Sequence, residues 1–524
     1  MADFGGHDDR PELADIPRIA RRLIRWAVQA ARTEDKPLAV MLRDHLGPDA
    51  AGFPVVSGSW PGYDLVNVQV GLNGWLAGWR REHELVGLTG YQHESFGLAD
   101  LLQPGAERLW LSVGSVAMAA LPAGPAGQTL ACVQCGLYLA SDGDTRFALL
   151  LRGPATSDPD GDTTLEVACA DQASAQRVID EVRRLAIARN VFRGHVISFG
   201  DGMSGRGRGS SGGLRFHDRP QPGRDTVVLP PAVIEGIERQ VLGVARHAGR
   251  LLASGQHLKR GVLLHGAPGT GKTHTVRYLI GQLPGVTVAI LSGYALSWIG
   301  QACSVARLLA PSLVVIEDVD LIAEERGTGT GQHPLLFQLL NEMDGLGEDV
   351  NVTFLLTTNR PDLLEAALAT RPGRVDHAAE LPLPDADARR RLIDLYRGRL
   401  VLDLTGPDDV IKRTDGVTAA FIKELLRRAA VLAAAAEPAE PGPAAGPAAD
   451  GDRAGPPLRL TDAHLSEALD QLLDARSRMT RTLLGGRGVG QDAVIRPMGA
   501  DAVLRRSQAL ILQPRRKPSS ARPS

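Results

Sequence analysis

The sequence predicts an α/β protein with a parallel-sheet core, preceded by an α+β domain and followed by a helical subdomain. Three observations predict this arrangement. Apolar segments of strand length alternate with helical segments from about residue 260 to 380, as in a parallel sheet with crossover helices. A Gly-rich segment at 200–213 separates this region from the preceding chain. Beyond about residue 385, helical patterns follow one another.

Composition sets the first limits on function. The 524 residues are enough for about two to four domains. A formal charge of −2 gives no support to a nucleic-acid partner. The sequence holds no run of about eighteen apolar residues and no basic N-terminal segment leading into an apolar one. We therefore expect a cytoplasmic protein without a membrane segment.

The first domain, residues 10–199, has mixed patterns and no chemical motif. Its predicted elements are a helix at 11–31, a strand over Asp64–Val70, a helix carrying Leu72, Trp75, Leu76 and Trp79, a small antiparallel sheet at 109–151, a helix at 171–189 and a last strand over Val196–Phe199. We expect this domain to recognise a client or an adaptor.

The remaining chain divides by composition and periodicity. The predicted segments are a Gly-rich linker at 200–221, the parallel-sheet core at 222–384, a helical subdomain at 385–484 with a disordered insertion at 437–457, and a disordered basic tail at 485–524. The subdomain helices are predicted at 386–400, 418–436 and 461–484.

Two cysteines, Cys132 and Cys135, have the spacing of a metal or redox pair. They lie in an apolar run that favours a strand, in which alternate side chains point to opposite faces. Packing of both thiols in the core is therefore favoured over a zinc or redox role.

A phosphate-binding loop lies between the apolar run at 261–264 and a helical segment at 275–280. Its residues are Gly266, Ala267, Pro268, Gly269, Thr270, Gly271, Lys272 and Thr273. They match G-x-x-x-x-G-K-[ST] in the strand-loop-helix context that this motif requires. Lys272 is expected to reach the β- and γ-phosphates of a nucleoside triphosphate, and the Thr273 hydroxyl to bind Mg²⁺.

Polar side chains follow the next strands of the predicted sheet. Glu317 and Asp318 come directly after the apolar run 313–316, and Asn359 follows the run 352–358. Carboxylates beside a phosphate loop hold the Mg²⁺ shell and orient or deprotonate the attacking water. The Asn359 amide is expected to position that water or contact the γ-phosphate; a turn asparagine is the alternative.

Two arginines, Arg371 and Arg374, flank a Pro-Gly turn further along the chain. Planar guanidinium groups there are suited to the charge that develops on a transferred phosphoryl group.

Taken in order, these motifs resemble those of a classical AAA+ ATPase over residues 222–484. The phosphate loop, the acidic strand end, Asn341-Glu-Met-Asp-Gly-Leu346, Thr357-Thr-Asn-Arg-Pro361 and Arg371-Pro-Gly-Arg374 carry the resemblance. It implies an AAA+ P-loop domain with a helical lid subdomain, ATP and Mg²⁺ as ligands, and a homo-oligomeric, usually hexameric, ring. It also implies that one of the arginines acts on the neighbouring subunit's nucleotide.

The sequence departs from the family at two points. Glu317 precedes Asp318, whereas the family usually has Asp before Glu. By position Glu317 would serve the Mg²⁺ shell and Asp318 would be the base, but the inversion leaves this assignment open. One extra residue between Asp362 and Arg371 leaves open which arginine reaches the γ-phosphate.

Trp298, Ile299 and Gly300 resemble the pore loop with which ring-shaped translocases grip a polypeptide. A large flat side chain followed by a flexible glycine suits that task; a tryptophan packed in the connection between sheet and helix is the alternative. The predicted function is an ATP-hydrolysing ring that unfolds or translocates protein clients through a pore. A regulatory or assembly switch without threading is the alternative function. No His-Glu-x-x-His motif occurs in the sequence, so proteolysis is not expected.

Overall fold

A computed structural model provides the structure of the protein. The structure describes residues 37–79, 81–89, 96–106, 112–154, 161–199, 214–321, 334–345, 347, 350–362, 364, 374–436 and 457–473. The chain divides into two compact units, residues 1–382 and 383–524. The predicted helix at 11–31, the predicted insertion apart from Pro457, and the tail at 485–524 lie outside the described residues.

The first unit begins with an antiparallel sheet of seven strands. They are β1 (Val55–Trp60), β2 (Arg81–Thr89), β3 (Ser112–Gly114), β4 (Ala117–Pro122), β5 (Thr129–Asp142), β6 (Thr145–Arg152) and β7 (Thr163–Ala168). The strand order is β1-β7-β6-β5-β2-β3, and β4 pairs with the first half of β5. The predicted antiparallel sheet is present and is larger than the sequence indicated. A tight turn at Gly143 joins β5 to β6, with Asp142 opposite Thr145.

Helices cover both faces of this sheet. They are α1 (Leu38–Leu46), α2 (Leu65–Leu76), α3 (Leu98–Leu102) and α4 (Gln172–Ala188). α2 and α4 pack together on one face, where Leu72 and Val182 are fully buried. α1 and α3 cover the other face through residues such as Leu42 and Leu101. Asp171 caps α4 by accepting from the Ser174 amide at 2.9 Å.

The predicted strand over Asp64–Val70 is wrong, because Asp64 ends a 3₁₀ turn and the residues after it begin helix α2. The apparent alternation comes from two buried polar side chains that are satisfied inside the core. Asn67 donates to Asp64 at 2.7 Å, and Gln69 accepts from the Val133 amide at 2.9 Å. Trp79, predicted on the apolar stripe, lies beyond the helix and is 86% exposed.

The second sheet of this unit also has seven strands. They are β8 (Val196–Phe199), β9 (Leu214–His217), β10 (Arg260–His265), β11 (Thr287–Leu291), β12 (Ser312–Ile316), β13 (Val352–Thr358) and β14 (His377–Glu380). The order is β14-β10-β13-β12-β11-β8-β9, and all neighbours are parallel except β8 and β9. The parallel sheet predicted from 260 to 380 is confirmed.

The prediction that β8 closes the first domain is wrong. β8 runs parallel to β11, with Val196 opposite Val288, and antiparallel to β9. Residues 200–213 therefore join two neighbouring strands of the parallel sheet, so they do not separate two domains. The sequence could not reveal this pairing, because a strand of only four residues carries no signal for its partner.

Helices flank the parallel sheet, and its two faces belong to different apolar cores. The helices are α5 (Pro231–Glu238), α6 (Val244–Ala253), α7 (Lys272–Gly281), α8 (Ile299–Leu308) and α9 (Pro334–Asp344), with a π-helical turn at Arg239–Gly243. One face, which includes Val314 and Phe354, shares a continuous core with Trp60, Leu72 and Trp75 of the first domain. The first domain is thus packed directly against the parallel-sheet core.

The second unit is mainly helical. Its elements are α10 (Ala386–Tyr396), β15 (Val401–Asp403), α11 (Pro407–Arg413), α12 (Ala419–Ala436), β16 (Arg459–Thr461) and α13 (Asp462–Leu473). β15 and β16 form a short parallel pair. The three predicted helices begin within a residue of their predicted starts, and the third is described as far as Leu473. In the part of the chain that the structure describes, no helix has the length and apolarity needed to cross a bilayer.

Candidate nucleotide site

The phosphate loop lies between β10 and the N-terminus of α7, as predicted. Gly266, Gly269 and Gly271 have φ of +149°, +81° and +101°, a region that favours glycine. A Cβ on Gly266 would lie 2.5 Å from the Leu381 carbonyl oxygen, so the turn also needs a residue without a side chain. The first backbone N–H groups of α7 face the loop, which suits an anionic ligand.

Lys272 is held within its own loop. Its side chain is 7% exposed, and Nζ donates to the carbonyl oxygens of Gly266 at 2.8 Å and Ala267 at 3.0 Å. Burial lowers the pKa of Lys272, whereas the charges of Asp318 and Asp320 raise it. A phosphate group entering the loop would replace neutral carbonyl partners by charged ones, which form stronger hydrogen bonds with an ammonium group.

Thr273 and Glu317 lie close together across the site, near enough for the Thr273 hydroxyl to lower the pKa of the Glu317 carboxyl. Burial raises the pKa of Glu317, the nearby Thr273 hydroxyl lowers it, and the Asp318 charge raises it. A hydroxyl and a carboxylate that lie close together are the oxygen donors that Mg²⁺ prefers. The residues present therefore fit a Mg²⁺ ion bound with the nucleotide, held by Thr273 and Glu317.

Asp318 and Asn359 are also brought together. Asn359 Nδ2 donates to Asp318 Oδ1 at 3.2 Å. Asp318 is exposed, as a base that faces substrate must be, and its backbone has φ of +51°. Asp and Asn tolerate this left-handed region better than other residues with side chains. The conformation gives a physical reason for aspartate, and not the longer glutamate, at this position.

Sequence reasoning missed three residues behind this pair, namely Thr357, Thr358 and Asp320. Asp320 is 8% exposed and accepts from Thr358 Oγ1 at 2.8 Å and from the backbone N–H of Asn359 at 3.2 Å. The Asp318 amide donates to Thr357 Oγ1 at 3.0 Å. The two threonines had a signal in the sequence, since they end the strand Val352–Thr358 directly before Asn359.

Arg374 is buried and paired within its own chain. It is 4% exposed and forms a two-point ion pair with Asp344 of the same chain, in which Nε donates to Oδ1 at 2.8 Å. The Gly261 amide bonds Asp376 at 2.9 Å and ties this segment to β10. Which of the two arginines acts on the neighbouring subunit's nucleotide stays a prediction. Arg371 lies outside the described residues.

The predicted pore residues are part of the packed structure. Gly293–Trp298 is a 3₁₀ turn, Ile299 begins α8 with its side chain fully buried, and Gly300 lies within that helix. Trp298 is half-buried, and its ring stacks on Phe199 at a centroid distance of 6.1 Å. Phe199 in turn meets Tyr63 of the first domain edge-on at 5.9 Å. The alternative interpretation, a packed tryptophan, describes this conformation.

Cys132 and Cys135 lie in β5 as free thiols, and Cys132 is fully buried. Burial raises the pKa of Cys132 to about 12 and that of Cys135 to about 11. Both thiols are therefore protonated at neutral pH and poor nucleophiles.

The loop between β10 and α7, the Thr273–Glu317 pair and the Asp318–Asn359 pair together define a P-loop nucleoside triphosphatase. Residues 262–383 match the family model described as ATPase family associated with various cellular activities (AAA). They are therefore an AAA ATPase domain, and the resemblance to a classical AAA+ ATPase is confirmed for this part of the chain. The AAA+ P-loop fold is confirmed with it.

Similar proteins share this part of the chain. Sequence identity is 34% over 222 residues to the ATP-dependent zinc metalloprotease FtsH 3 of Synechocystis sp., 33% over 264 residues to FtsH of Nitrosococcus oceani, and 31% over 296 residues to the chloroplastic FTSH 1 of Oryza sativa subsp. japonica. The matches cover 38%, 46% and 52% of this chain, and 36%, 38% and 43% of the relatives. The chain thus spans less than half the length of each relative.

Proposed function

We propose that this protein hydrolyses ATP with Mg²⁺ and uses the energy to remodel protein clients. The observation that carries the proposal is the hydrogen bond between Asn359 and Asp318, which lies beside a loop in which Lys272 is buried. The Thr273 hydroxyl lies near the Glu317 carboxyl and lowers its pKa. These groups match the binding, metal and base positions of a phosphoryl-transfer site. The similarity of the AAA domain to ATP-dependent proteins supports the choice of nucleotide.

Each residue has a separate task in this proposal. Lys272 exchanges its loop carbonyls for the β- and γ-phosphates. Thr273 and Glu317 would hold a Mg²⁺ ion, whose positive charge stabilises the phosphate oxygens when it is bound. Asp318 accepts a proton from the attacking water, and the Asn359 amide holds the Asp318 carboxylate in the orientation that this transfer needs.

We propose a homo-oligomeric ring, most simply a hexamer, in the cytoplasm. Because Arg374 is committed to Asp344 within its own chain, the arginine that reaches the neighbour's nucleotide is assigned to Arg371. Arg371→Ala should remove hydrolysis and leave ATP binding intact. Mixing Arg371→Ala subunits with Lys272→Ala subunits should restore hydrolysis. One site then combines Lys272 from the first variant with Arg371 from the second.

Two substitutions test hydrolysis directly. Lys272→Ala should abolish ATP binding, measured with a fluorescent ATP analogue. Asp318→Asn should retain binding and lower kcat by about a hundredfold or more, the usual loss when a general base is removed. Wild-type protein without ATPase activity, or full activity in Asp318→Asn, would contradict the proposal.

Two mechanisms, or routes, are considered for the action of the protein on its client. In the first, Trp298, Ile299 and Gly300 grip a polypeptide in the pore, which requires Trp298 to leave Phe199. In the second, the protein is a regulatory or assembly switch without threading, and nucleotide turnover moves the first domain through the Trp298–Phe199–Tyr63 stack. The stack itself is the observation that favours the second route.

Trp298→Ala and Phe199→Ala distinguish the two routes. Threading predicts that Trp298→Ala loses client remodelling while Phe199→Ala, which frees the tryptophan, retains it. The switch predicts equal loss in both variants, because either change breaks the stack. ATP hydrolysis and client remodelling should be measured side by side, with Trp79→Ala, an exposed tryptophan outside the stack, as the matched control.

A further inference from the structure

The C-terminal ends of β12 and β13 are joined by contacts that extend beyond the sheet. The ladder between the two strands ends at Ile316 opposite Leu356. After it, the Asp318 amide donates to Thr357 Oγ1 at 3.0 Å, and the Val319 amide donates to the Thr357 carbonyl at 2.9 Å. A side-chain oxygen thus replaces a backbone acceptor at the position where Asp318 turns into the left-handed region.

In a second set of contacts the donors come from the end of β13 and the acceptor follows β12. Asp320 Oδ1 accepts from Thr358 Oγ1 at 2.8 Å and from the Asn359 amide at 3.2 Å. Asp320 is 8% exposed, and Thr357 and Thr358 are 1% and 0% exposed. Because these groups are buried and bonded to each other, the two strand ends hold one fixed relative position.

We propose that Thr357 and Asp320 are positioning residues for ATP hydrolysis. Thr357 holds the backbone of Asp318 in the conformation that presents its carboxylate. Asp320 accepts from the backbone N–H of Asn359. This bond holds Asn359 so that its side-chain amide reaches Asp318. This inference deepens the proposed function and rests on it. Neither residue is expected to touch the nucleotide, so the loss on substitution falls on kcat and not on ATP binding.

Thr357→Val tests the first contact, because valine has the shape of threonine and lacks the accepting oxygen. We expect kcat to fall by about tenfold to a hundredfold, the range caused by small misplacements of reacting groups. The KM for ATP and the Kd of a fluorescent ATP analogue should stay within about threefold. Thr357→Ser, which retains the oxygen, should recover most of kcat. Thr353→Val, the same change at a buried threonine earlier in β13, is the matched control.

Asp320 provides a second test if Thr357→Val is too unstable to assay. Both of its bonds end on Oδ1, so Asp320→Asn retains an accepting oxygen and Asp320→Leu removes it. We expect kcat to fall in Asp320→Leu and to be largely recovered in Asp320→Asn. In an Asp318→Asn background, Thr357→Val should cause little further loss, since the group that it positions is already disabled.

The outcomes separate the inference from the function on which it rests. If wild-type protein does not hydrolyse ATP, the proposed function fails. If wild-type protein is active and Thr357→Val and Asp320→Leu keep full kcat, the positioning inference fails while the function stands. Equal losses of kcat in Thr357→Ser and Thr357→Val would also overturn the positioning inference. A loss confined to ATP binding would overturn it as well.

Discussion

The ion pair between Arg374 and Asp344 makes a quantitative prediction that separates structural support from catalysis. Arg374 is 4% exposed, whereas the Asp344 side chain is 49% exposed. Removing the arginine leaves a carboxylate that water can still reach, so Arg374→Met should lower the free energy of unfolding by about 2 kcal/mol. Removing the carboxylate leaves a buried guanidinium without its partner, so Asp344→Ala should cost more, about 3–4 kcal/mol.

The assay is a double-mutant cycle on the full chain, with denaturant midpoints followed by fluorescence and circular dichroism. The double variant should be less destabilised than the sum of the two single variants, because the pair is lost only once. ATP hydrolysis is measured in the same samples. Unchanged stability in Arg374→Met, together with lost hydrolysis that wild-type neighbours restore, would refute the reasoning and return Arg374 to a role between subunits.

Two further predictions concern the interior of the first domain. Burial raises the pKa of Asp64 from its usual 3.8 to about 6, against the Asn67 hydrogen bond. An acid whose pKa is raised on folding loses stability as pH rises from about 4 through 6, so Asp64→Asn should stabilise the protein by about 1–2 kcal/mol at pH 7.5 and little at pH 4. Equal gains at both pH values, by denaturant midpoint, would contradict this origin. A Cβ on Gly71 would lie 2.4 Å from the Val182 carbonyl, so Gly71→Ala should destabilise the contact of α2 with α4 by about 2–3 kcal/mol. Gly249→Ala on α6, with open space around it, should instead gain about 0.5–1 kcal/mol; an equal effect of both changes on thermal unfolding would contradict the close-packing argument.

Local signals explain which parts of the protein could be predicted. The phosphate loop was readable because its eight residues are consecutive and each has a backbone or ligand requirement of its own. The pairing of Asp318 with Asn359 was foreseeable, since parallel strands that end at one edge bring their following residues together. The strands from β10 to β13 were readable because buried parallel strands are continuous apolar runs between helices.

Long-range contacts explain the errors. Helix α2 was predicted as a strand at its start, because Asn67 and Gln69 interrupt the apolar stripe and only their buried partners show why. β8 was assigned to the first domain, since nothing in its four residues specifies β11 as the neighbour. Arg374 and Trp298 have side chains suited to several tasks, and their partners Asp344 and Phe199 lie far away in the sequence.

The sequence by itself therefore determined the chemistry of the nucleotide site, because phosphate and metal binding depend on residue types at short, fixed spacings. Tertiary structure decided how that chemistry is supported and coupled. It placed Thr357 and Asp320 behind the base, paired Arg374 within its own chain, and packed Trp298 against Phe199. Those contacts arise when distant segments share a buried environment, where hydrogen-bonding and packing requirements select partners that no local pattern encodes.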